Sequence, residues 1–517
     1  MADIIYRANL KASSFPFLSE LFGRSIIVKG PDQTSPIGKS EPGVTDASNQ
    51  GIPQIYYCHN VVPSDNGYKS VGYTTVVSAA ASGSFVKVIT IRDSTGDSAD
   101  LAITAAGVLW VRQYGTAVWV VVGTPPVAGT IAGARMTAGF VSGTSYIYFA
   151  GVGCYTYDFT TNNMTAVVPL WDGTTPVPVT DATCLGMTDN RGYLIAYTTD
   201  QVVWSSTTNP LDFVGSLTTG AGGGNLEGAR GIIVTIESVY GGMIIFTNGN
   251  AVSAIASDNT RFPYNFMEIT GAGGLQDAEF VSYDANSNAI YAYTTAGVQL
   301  INIKSASIVF PEVTDFLSGA LFEDYNETTN ILSLVNSTTV LTKRLVVVAS
   351  RYLVISYGIG SLTHALFYDS GYKQWGRLKI DHVDCFELGR ATVETPRKSI
   401  AFMQANGTVK IVNMDIVNPE SNGVMLVGKF QYVRTRLLQL QAVDLENINA
   451  GDTFSLLDLP AADGKNFGTA LVGYLQTNSG KFRRYLFHNT AMNHTLSFKG
   501  SFNATSLVIT FNVSGSR

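Results

Sequence analysis

Few residues in this sequence have the type and setting that chemistry requires, and Asp369 is the first to consider. It ends an aromatic run, HALFYD, and is followed by a glycine turn and Trp375. A carboxylate placed there could act as a general acid or base. It could equally hold the turn, because aspartate side chains accept hydrogen bonds from backbone N–H groups two residues further on. Asp158, in YTYDFTTNNMTAV, follows another apolar run in the same way, which favours the structural interpretation.

The stretch around Asp369 resembles the Asp-box of sialidases, S-x-D-x-G-x-x-W, which recurs in the blades of those propeller enzymes. Three residues, not two, separate Gly371 from Trp375, and in sialidases the motif is itself structural. We therefore predict that Asp369 holds a corner and that Trp375 caps the packing between adjacent blades. The clustered arginines that bind a sialic acid carboxylate are not evident. Six arginines of the repeat region occur about once per blade or less, and we interpret them as hydrogen-bond donors between blades: Arg92, Arg135, Arg191, Arg230, Arg261 and Arg351.

Two glycine-containing motifs fall short of the chemistry they suggest. GPDQTSPIGKS (30–40) ends like a phosphate-binding loop, but it lacks the required glycine four residues before GK. TTGAGGGNLEG (218–228) does not satisfy G-x-G-x-x-G, and we expect a flexible loop that projects from a blade and could contact neighbouring subunits. Neither a G-x-S-x-G nucleophile elbow nor an H-E-x-x-H zinc motif occurs.

The histidines show no spacing typical of a metal site. None of the five has acidic partners at ligand spacing: His59, His364, His382, His488 and His494. His382 lies between Asp381 and Asp384 in KIDHVDCFELGR. Two interpretations stay open: the acidic neighbours raise its pKa, or it stands in an exposed polar turn, which we favour.

The four cysteines are scattered without a C-x-x-C motif: Cys58, Cys154, Cys184 and Cys385. We interpret them as buried free thiols in a chain that folds in a reducing cytoplasm. Taken together, the motifs predict no catalytic, cofactor-binding or metal-binding residue, no cofactor and no enzymatic activity.

The composition favours a large, weakly charged β-rich shell. Only 14% of the 517 residues are charged, against roughly 25% in typical soluble domains. The net charge is −6. We interpret the short basic clusters RTR (434–436) and KFRRY (481–485) as solvated or interface charges rather than a DNA-binding surface. The start of the chain does not read as an export signal, and Pro125 and Pro126 interrupt the longest apolar region. We expect no membrane span.

The elements that must position these residues are short strands joined by Gly, Asn, Ser and Thr turns. Seven hairpins share one form, and the residue before each turn marks it: Ile103, Phe149, Tyr197, Phe246, Tyr293, Tyr357 and Met403. The marks are 46, 48, 49, 47, 64 and 46 residues apart. A propeller blade takes about 40–50 residues and four strands. The sequence therefore predicts an all-β fold, a β-propeller of six or seven blades with an additional small antiparallel β domain.

The boundaries follow from where this rhythm starts and stops. Residues 81–417 are predicted to form the propeller, with roughly one extra hairpin inserted in the 64-residue step. Residues 1–80 contain prolines between aromatic anchors and are predicted to form an extended docking arm. Residues 418–517 continue in alternating strands without the repeat and are predicted to form the antiparallel β domain. An irregular stack of β-sandwiches is the alternative.

Four stretches resemble the tail nozzle proteins of short-tailed bacteriophages: RANLKASSFPFLSELFGRSIIVKG, VVWSSTTNPLDFVGSLTTGAGGG, GGMIIFTNGNAV and HALFYDSGYKQWGRLKI. The resemblance covers most of residues 1–440. It implies a virion component below the portal and adaptor rings, a β-propeller with added β domains that assembles as a homo-hexamer around the DNA channel. It implies contacts with portal, adaptor and tail fibre proteins, loops that gate the tip until genome ejection, and no catalytic residues.

The composition agrees with that interpretation, because large subunit interfaces exclude charge from their centres and a mildly acidic channel lets double-stranded DNA slide. The localisation expected is the virion tail, after folding in the cytoplasm of the bacterial host. Two alternatives remain: a propeller protein that binds or cleaves glycans in receptor recognition, and an unrelated β-rich assembly protein.

Overall fold

The computed structural model describes most of the chain between residues 55 and 413 and a set of strands on either side. The described residues are 4–9, 26–27, 55–64, 67–80, 83–95, 98–113, 116–123, 126, 128–172, 179–226, 228–259, 263–318, 321–326, 331–336, 341–388, 399–413, 423–431, 436–447, 453–461, 472–477, 482–491 and 493–516.

Six strands precede the first repeat. They are β1 (Ile4–Asn9), β2 (Ile26–Ile27), β3 (Ile55–His59), β4 (Val61–Ser64), β5 (Gly67–Ser70) and β6 (Gly72–Val77). The first five pair with strands from the end of the chain or with one another, and β6 pairs with a strand of the last repeat.

Within the described residues, seven antiparallel four-stranded units follow one another, and we number them blades 1 to 7. Blade 1 consists of β7 (Phe85–Arg92), β8 (Ser98–Thr104), β9 (Leu109–Gln113) and β10 (Val120–Val121). Blade 2 follows the short helix α1 (Ala128–Ile131) and consists of β11 (Met136–Val141), β12 (Thr144–Phe149), β13 (Gly153–Asp158) and β14 (Asn163–Val167). Blade 3 consists of β15 (Gly186–Asn190), β16 (Tyr193–Tyr197), β17 (Gln201–Trp204) and β18 (Gly222–Asn225).

The repeat continues through the second half of the ring. Blades 4 and 5 are β19 (Ile233–Val239), β20 (Gly242–Thr247), β21 (Ala251–Ala256), β22 (Tyr264–Glu268), and β23 (Val281–Asp284), β24 (Ala289–Thr294), β25 (Gly297–Ile301), β26 (Ala306–Ile308). An insertion follows blade 5 and contains α2 (Pro311–Ser318), β27 (Leu321–Asn326) and β28 (Ile331–Asn336). Blade 6 consists of β29 (Leu341–Val348), β30 (Tyr352–Ile359), β31 (Leu362–Asp369) and β32 (Gln374–His382). Blade 7 consists of β33 (Asp384–Leu388), β34 (Ser399–Met403), β35 (Val409–Asn413) and β6.

The predicted β-propeller is confirmed, and the described residues form seven blades. Each of the seven residues that marked the hairpins lies on the second strand of a blade. That strand lies between two others in its sheet, and in blade 3 and blade 4 all residues of β16 and β20 are buried. A strand enclosed on both faces needs a continuous run of apolar residues, which is the signal that recurred in the sequence.

The ring is closed by β6, which pairs antiparallel with β35 from Gly72 opposite Asn413 to Val77 opposite Val409. The last blade therefore takes its outer strand from the N-terminal side of the chain. The range 81–417 leaves this strand out, because β6 lacks the turn-and-hairpin form that defined the repeat.

The long step of the repeat contains the predicted additional hairpin. Strands β27 and β28 pair only with each other among the described strands. Helix α2 precedes them, and its residues Val313, Phe316 and Leu317 are buried against the same core as blade 6. The apolar side chains of α2 have the 3.6-residue spacing of a helix. The sequence analysis did not predict this helix, because strand patterns lie on both sides of it.

The two flanks of the propeller fold together. The C-terminal strands are β36 (Gly423–Gln431), β37 (Arg436–Asn447), β38 (Thr453–Ala461), β39 (Val472–Thr477), β40 (Phe482–Ala491), β41 (Asn493–Gly500) and β42 (Asn503–Ser516). One sheet has the order β2-β36-β41-β38-β39 with β3 also on β36, and the other runs β4-β5-β42-β37-β40 with β1 also on β42. Four of the described strands of 1–80, β1, β2, β3 and β5, thus pair with strands of 418–517.

The second of these sheets continues into blade 6, where Arg377 on β32 stands opposite Val61 on β4. One apolar core joins the flank sheets, blade 6 and α2, and it includes Trp375, Met425 and Phe511. None of the helices in the described part of the chain is long and apolar enough to cross a membrane.

Candidate functional site: the axial cavity

The first strands of the seven blades lie side by side around the axis of the ring. They enclose a cavity of about 540 Å³, lined by residues of β7, β11, β15, β19, β23 and β29. In a chain with so few charged residues, the charged side chains on this wall stand out: Lys87, Arg135, Glu237, Asp277, Glu279 and Arg344. We name this group of side chains and the space between them the axial cavity.

One side of the axial cavity is an ion-pair network. Glu279, before β23, accepts hydrogen bonds from Lys87 on β7 and from Arg344 on β29, the latter over 3.1 Å. Arg344 also contacts the buried carboxylate of Asp384 on β33 through Nε, 2.8 Å away, and Asp384 accepts the backbone N–H of Val88 at 2.7 Å. These bonds link blades 1, 5, 6 and 7 across the axis.

Burial and ion pairing act in opposite directions on Glu279. Burial by itself would raise the pKa of this carboxyl, but Lys87 and Arg344 outweigh burial and hold the pKa of Glu279 below its ordinary value. The carboxylate of Glu279 therefore stays ionised at neutral pH.

A second group of charges on the wall is formed by Arg135 and Glu237. Arg135, just before β11, reaches past blade 3 to blade 4 and donates from Nη1 to the Val234 carbonyl (2.6 Å) and from Nη2 to Thr235 Oγ1 (3.0 Å). The pairing of β19 with β20 shifts register between Ile233 and Thr235, and such a bulge releases a carbonyl from the ladder. Burial raises the pKa of Glu237 to about 7, with Arg135 acting in the opposite direction.

The described lining contains threonines but no Ser, Cys or His. The charged side chains and hydroxyl groups of this lining can hold a charged or polar molecule in place. Across the described residues, no group of three or more His, Cys, Asp or Glu side chains is arranged to hold a metal ion.

The sequence did not single out the network residues as a site. Lys87, Glu237 and Arg344 each lie next to apolar residues in a strand rich in β-branched side chains, as in TIESV and KRLVVV. A charge inside an otherwise apolar first strand was the available signal, and it became readable only once the first strand of each blade was known to face the axis.

Asp369 lies at the turn between β31 and β32, away from the axial cavity. Its Oδ1 accepts the backbone N–H of Gly371 at 2.8 Å, and Arg351 donates to both carboxylate oxygens at 2.9 Å each. The side chain is buried. Asp158 holds the corresponding turn of blade 2, where it accepts the N–H of Thr160 at 2.8 Å. The geometry is that of the predicted corner.

Trp375 lies where the sequence placed it, at the start of the strand after that corner. Its ring is 5.0 Å from the ring of Phe310, which follows blade 5, and 4.9 Å from that of Tyr368 on β31. The indole therefore fills the space between blade 6 and the segment that leads to α2.

Both interpretations of His382 are wrong. The ring is buried at the end of β32, where Nδ1 donates to the Ile380 carbonyl (2.8 Å) and Nε2 lies 3.0 Å from Ser356 Oγ. Burial lowers the pKa of His382 to about 4. The neighbouring Asp384 does not reach it because that carboxylate is held by Arg344.

The glycine-rich stretch 218–228 is not a projecting loop, because it contains β18, the outer strand of blade 3. A Cβ on Gly223 would lie 2.6 Å from Val203 Cγ1, and one on Gly222 would lie 3.1 Å from the Trp204 ring. The glycines let this strand approach β17 closely, as glycines in strands often do. The loop was predicted because a glycine run was taken as a turn signal.

The remaining candidates are dispersed. All four cysteines are free and buried, as predicted. Two arginines bond across blades, Arg135 as above and Arg191 to the Ser257 carbonyl at 3.4 Å, whereas Arg230 and Arg351 pair with acids of their own blade. The phosphate-loop-like stretch 30–40 and Arg261 lie outside the described residues, and the basic clusters 434–436 and 481–485 lie outside the described side chains.

One buried pair was missed altogether. His494 on β41 contacts Asp458 on β38, with Nδ1 3.0 Å from Oδ2, and its Nε2 donates to the Leu438 carbonyl on β37 at 2.9 Å. The pair links the two flank sheets. The pair was not predicted because its two residues are 36 positions apart in the sequence and share no motif.

Comparison with known proteins adds information on the fold alone. No protein-family model matches the sequence, and no curated protein matches it. Among solved structures, the extracellular domain of the hybrid two component system BT4673 from B. thetaiotaomicron has a TM-score of 0.45 at 12% identity, and the match covers 88% of this chain and 62% of that chain. The chain thus spans less than two thirds of that domain.

Two smaller propellers also align. YCF48 bound to the D1 peptide has a TM-score of 0.40 at 8% identity, covering 67% of this chain and 97% of that chain. The WD40 β propeller domain of Doa1 has a TM-score of 0.38 at 8% identity, covering 66% and 98% respectively. The class of protein defined by the fold is a β-propeller.

Proposed function

We propose that this protein is a structural subunit of a short bacteriophage tail. In this role it forms the distal nozzle, assembles as a ring of six copies around the DNA channel, and retains the genome until ejection. The portal and adaptor proteins lie above it, tail fibres attach beside it, and double-stranded DNA passes without specific binding.

The observation that supports this proposal is the architecture together with the resemblance of four sequence stretches to tail nozzle proteins. That resemblance implies a propeller with added β domains. The chain has seven blades, an inserted hairpin, and two further sheets made from both ends of the chain. The continuous core between blade 6 and those sheets joins them into one packed unit, which suits a subunit of a mechanically stable ring.

The surface composition supports assembly. Charged residues make up 14% of the chain, and large apolar side chains are exposed on outer parts of several blades, among them Val121, Val168, Leu217, Met267 and Ile308. Head-to-tail contacts between such surfaces close into a ring when the rotation between copies divides a full turn.

The proposal is tested by electron microscopy of the purified chain, alone and mixed with a portal–adaptor complex of a short-tailed phage in which it is encoded. Six-fold rings that cap the complex are the expected result. A chain that stays monomeric at all concentrations and does not bind the complex contradicts the proposal. Turnover of a polysaccharide by the same preparation would favour the glycan-processing alternative instead.

A further inference from the structure

Arg135 and Glu237 face the axial cavity without an ion-pair partner among the described residues. Arg135 spends two N–H groups on neutral acceptors, the Val234 carbonyl and the Thr235 hydroxyl. A guanidinium has five N–H donors in a planar fork, so three remain. The Glu237 side chain accepts or donates no hydrogen bond within the part of the chain that the structure describes.

The other two cations of the described lining are paired with carboxylates. Glu279 accepts from both Lys87 and Arg344, and Arg344 also contacts Asp384. Asp277, the remaining acid of the lining, accepts the backbone N–H of Glu279 at 2.9 Å. Among the cations of the described lining, Arg135 is therefore the one without a carboxylate at ion-pair distance.

We propose that the axial cavity binds a small organic anion with one carboxylate group, which the guanidinium of Arg135 and the carboxyl group of Glu237 hold together. Arginine pairs with a carboxylate through two parallel N–H bonds. Glu237 stands two residues beyond Thr235 on β19, so the two side chains leave the same face of the strand. A ligand bound to Arg135 therefore lies beside Glu237.

The protonation of Glu237 suits this arrangement. A protonated carboxyl offers an O–H donor, and burial raises the pKa of Glu237 to about 7. Below that pH the group donates to the ligand, and above it an anionic Glu237 repels it. A cationic ligand on Glu237 would have to bind next to the guanidinium of Arg135, which opposes it.

The size of the cavity fits a small ligand. Its volume of about 540 Å³ lies within the roughly 300–1,000 Å³ typical of small-molecule sites. The hydroxyl-bearing side chain of Thr188 lies on the same wall, so a carboxylate with hydroxyl groups, such as a sugar acid, matches the lining.

The test uses calorimetric titration of the full chain with acetate and with three sugars of one size. D-glucuronate is the anion, D-glucose its neutral match and D-glucosamine its cationic match. We expect a carboxylate to bind in preference to both matches at pH 6. At pH 8 we expect about tenfold weaker binding, because roughly a tenth of Glu237 is then protonated.

Three variants separate the contributions. Arg135→Met should abolish carboxylate binding, Glu237→Gln should bind with an affinity independent of pH, and Arg191→Met, which removes an exposed guanidinium outside the cavity, should bind like the original protein. If Arg135→Met does not fold, the pH profile of Glu237→Gln decides. The proposal is overturned if neither carboxylate binds at either pH, if D-glucose or D-glucosamine binds as well as D-glucuronate, or if Glu237→Gln keeps the pH dependence.

Discussion

At the scale of single residues, the two carboxylates Asp369 and Glu237 show how the same group acquires opposite roles. Asp369 accepts hydrogen bonds from a backbone N–H and from both sides of the Arg351 fork, so its charge is satisfied and its function is to fix a turn. Glu237 has burial without such partners, and burial raises its pKa to about 7.

Replacing Asp369 by Ala should lower the free energy of unfolding by about 2 kcal/mol, because hydrogen bonds to a charged group contribute roughly 1.5–3 kcal/mol. Asp158→Ala is the matched control at the corresponding turn, where the carboxylate is exposed and has no arginine partner among the described residues. We expect a clearly smaller loss for it. Urea unfolding of both variants measures the difference, and equal losses would contradict the role assigned to Arg351.

Replacing Glu237 by Gln should raise stability at pH 8 and change it little at pH 5. The folded-state pKa of about 7 is above the ordinary value of 4.5, so the folded chain binds more protons than the unfolded chain between these values. The stability that this proton provides is present below pH 4.5 and is lost as the pH rises through 7. The full effect is on the order of 3 kcal/mol at most, from 1.36 kcal/mol per pKa unit.

The measurement is the unfolding midpoint of both proteins at pH 5 and pH 8. A glutamine is neutral at both, so the midpoint of the variant should fall less between the two conditions. If the original protein and the variant respond to pH alike, Glu237 is not the titrating group.

At the scale of elements, the outer strand of blade 3 depends on glycine at one position and not at its neighbour. A Cβ on Gly223 would be 2.6 Å from Val203 Cγ1 and 3.0 Å from the Val202 carbonyl oxygen, whereas a Cβ on Gly224 would meet nothing within 4 Å. The two residues alternate in direction along β18, and only one points at β17.

Gly223→Ala should therefore destabilise the protein by about 2 kcal/mol, within the roughly 1–3 kcal/mol typical of overpacking. Gly224→Ala should be neutral or slightly stabilising, since it only restricts the unfolded chain. Thermal unfolding of the pair is the measurement. Equal effects would show that β18 does not lie against β17 in this register.

The elements were predictable where one strand is enclosed by two others. The residues from Ile103 to Met403 that marked the hairpins are apolar or aromatic and recur every 46 to 49 residues outside the one long step, because the second strand of every blade lies between two others. The role of β18 was not predictable, since a glycine run has no side-chain pattern to reveal a strand. His382 was misjudged for a related reason: its acidic neighbours in sequence point away from it in the folded chain.

At the scale of the whole molecule, the propeller and the flank sheets share a core rather than a linker. Trp375 and Tyr357 of blade 6 are buried with Phe498 and Phe511 of the C-terminal strands. This shared core could not be predicted from the sequence, because pairing between strands hundreds of residues apart leaves no local pattern. The charged wall of the axial cavity was hidden in the same way, since its members come from five blades or the segments that lead into them.

Deleting residues 423–517 should leave an apolar face of blade 6 without cover, and we expect the shortened protein to aggregate. Deleting the hairpin 321–336, with a short Gly–Ser bridge in its place, is the control of similar kind, because β27 and β28 pair only with each other among the described strands. Soluble yield and binding of a hydrophobic dye measure the difference. A soluble, dye-silent shortened protein would contradict the shared core.

The position of β6 has a consequence for how the molecule is made. The ribosome releases β6 first and its partner β35 only after residue 413, so at about 5–20 residues per second the strand waits roughly 20 to 70 s for its place in the ring. Strands β1 and β42 meet later still. During synthesis the propeller is an open arc whose last blade is incomplete. A chain released by a ribosome that stalls before β35 cannot close the ring, because β6 then has no partner strand.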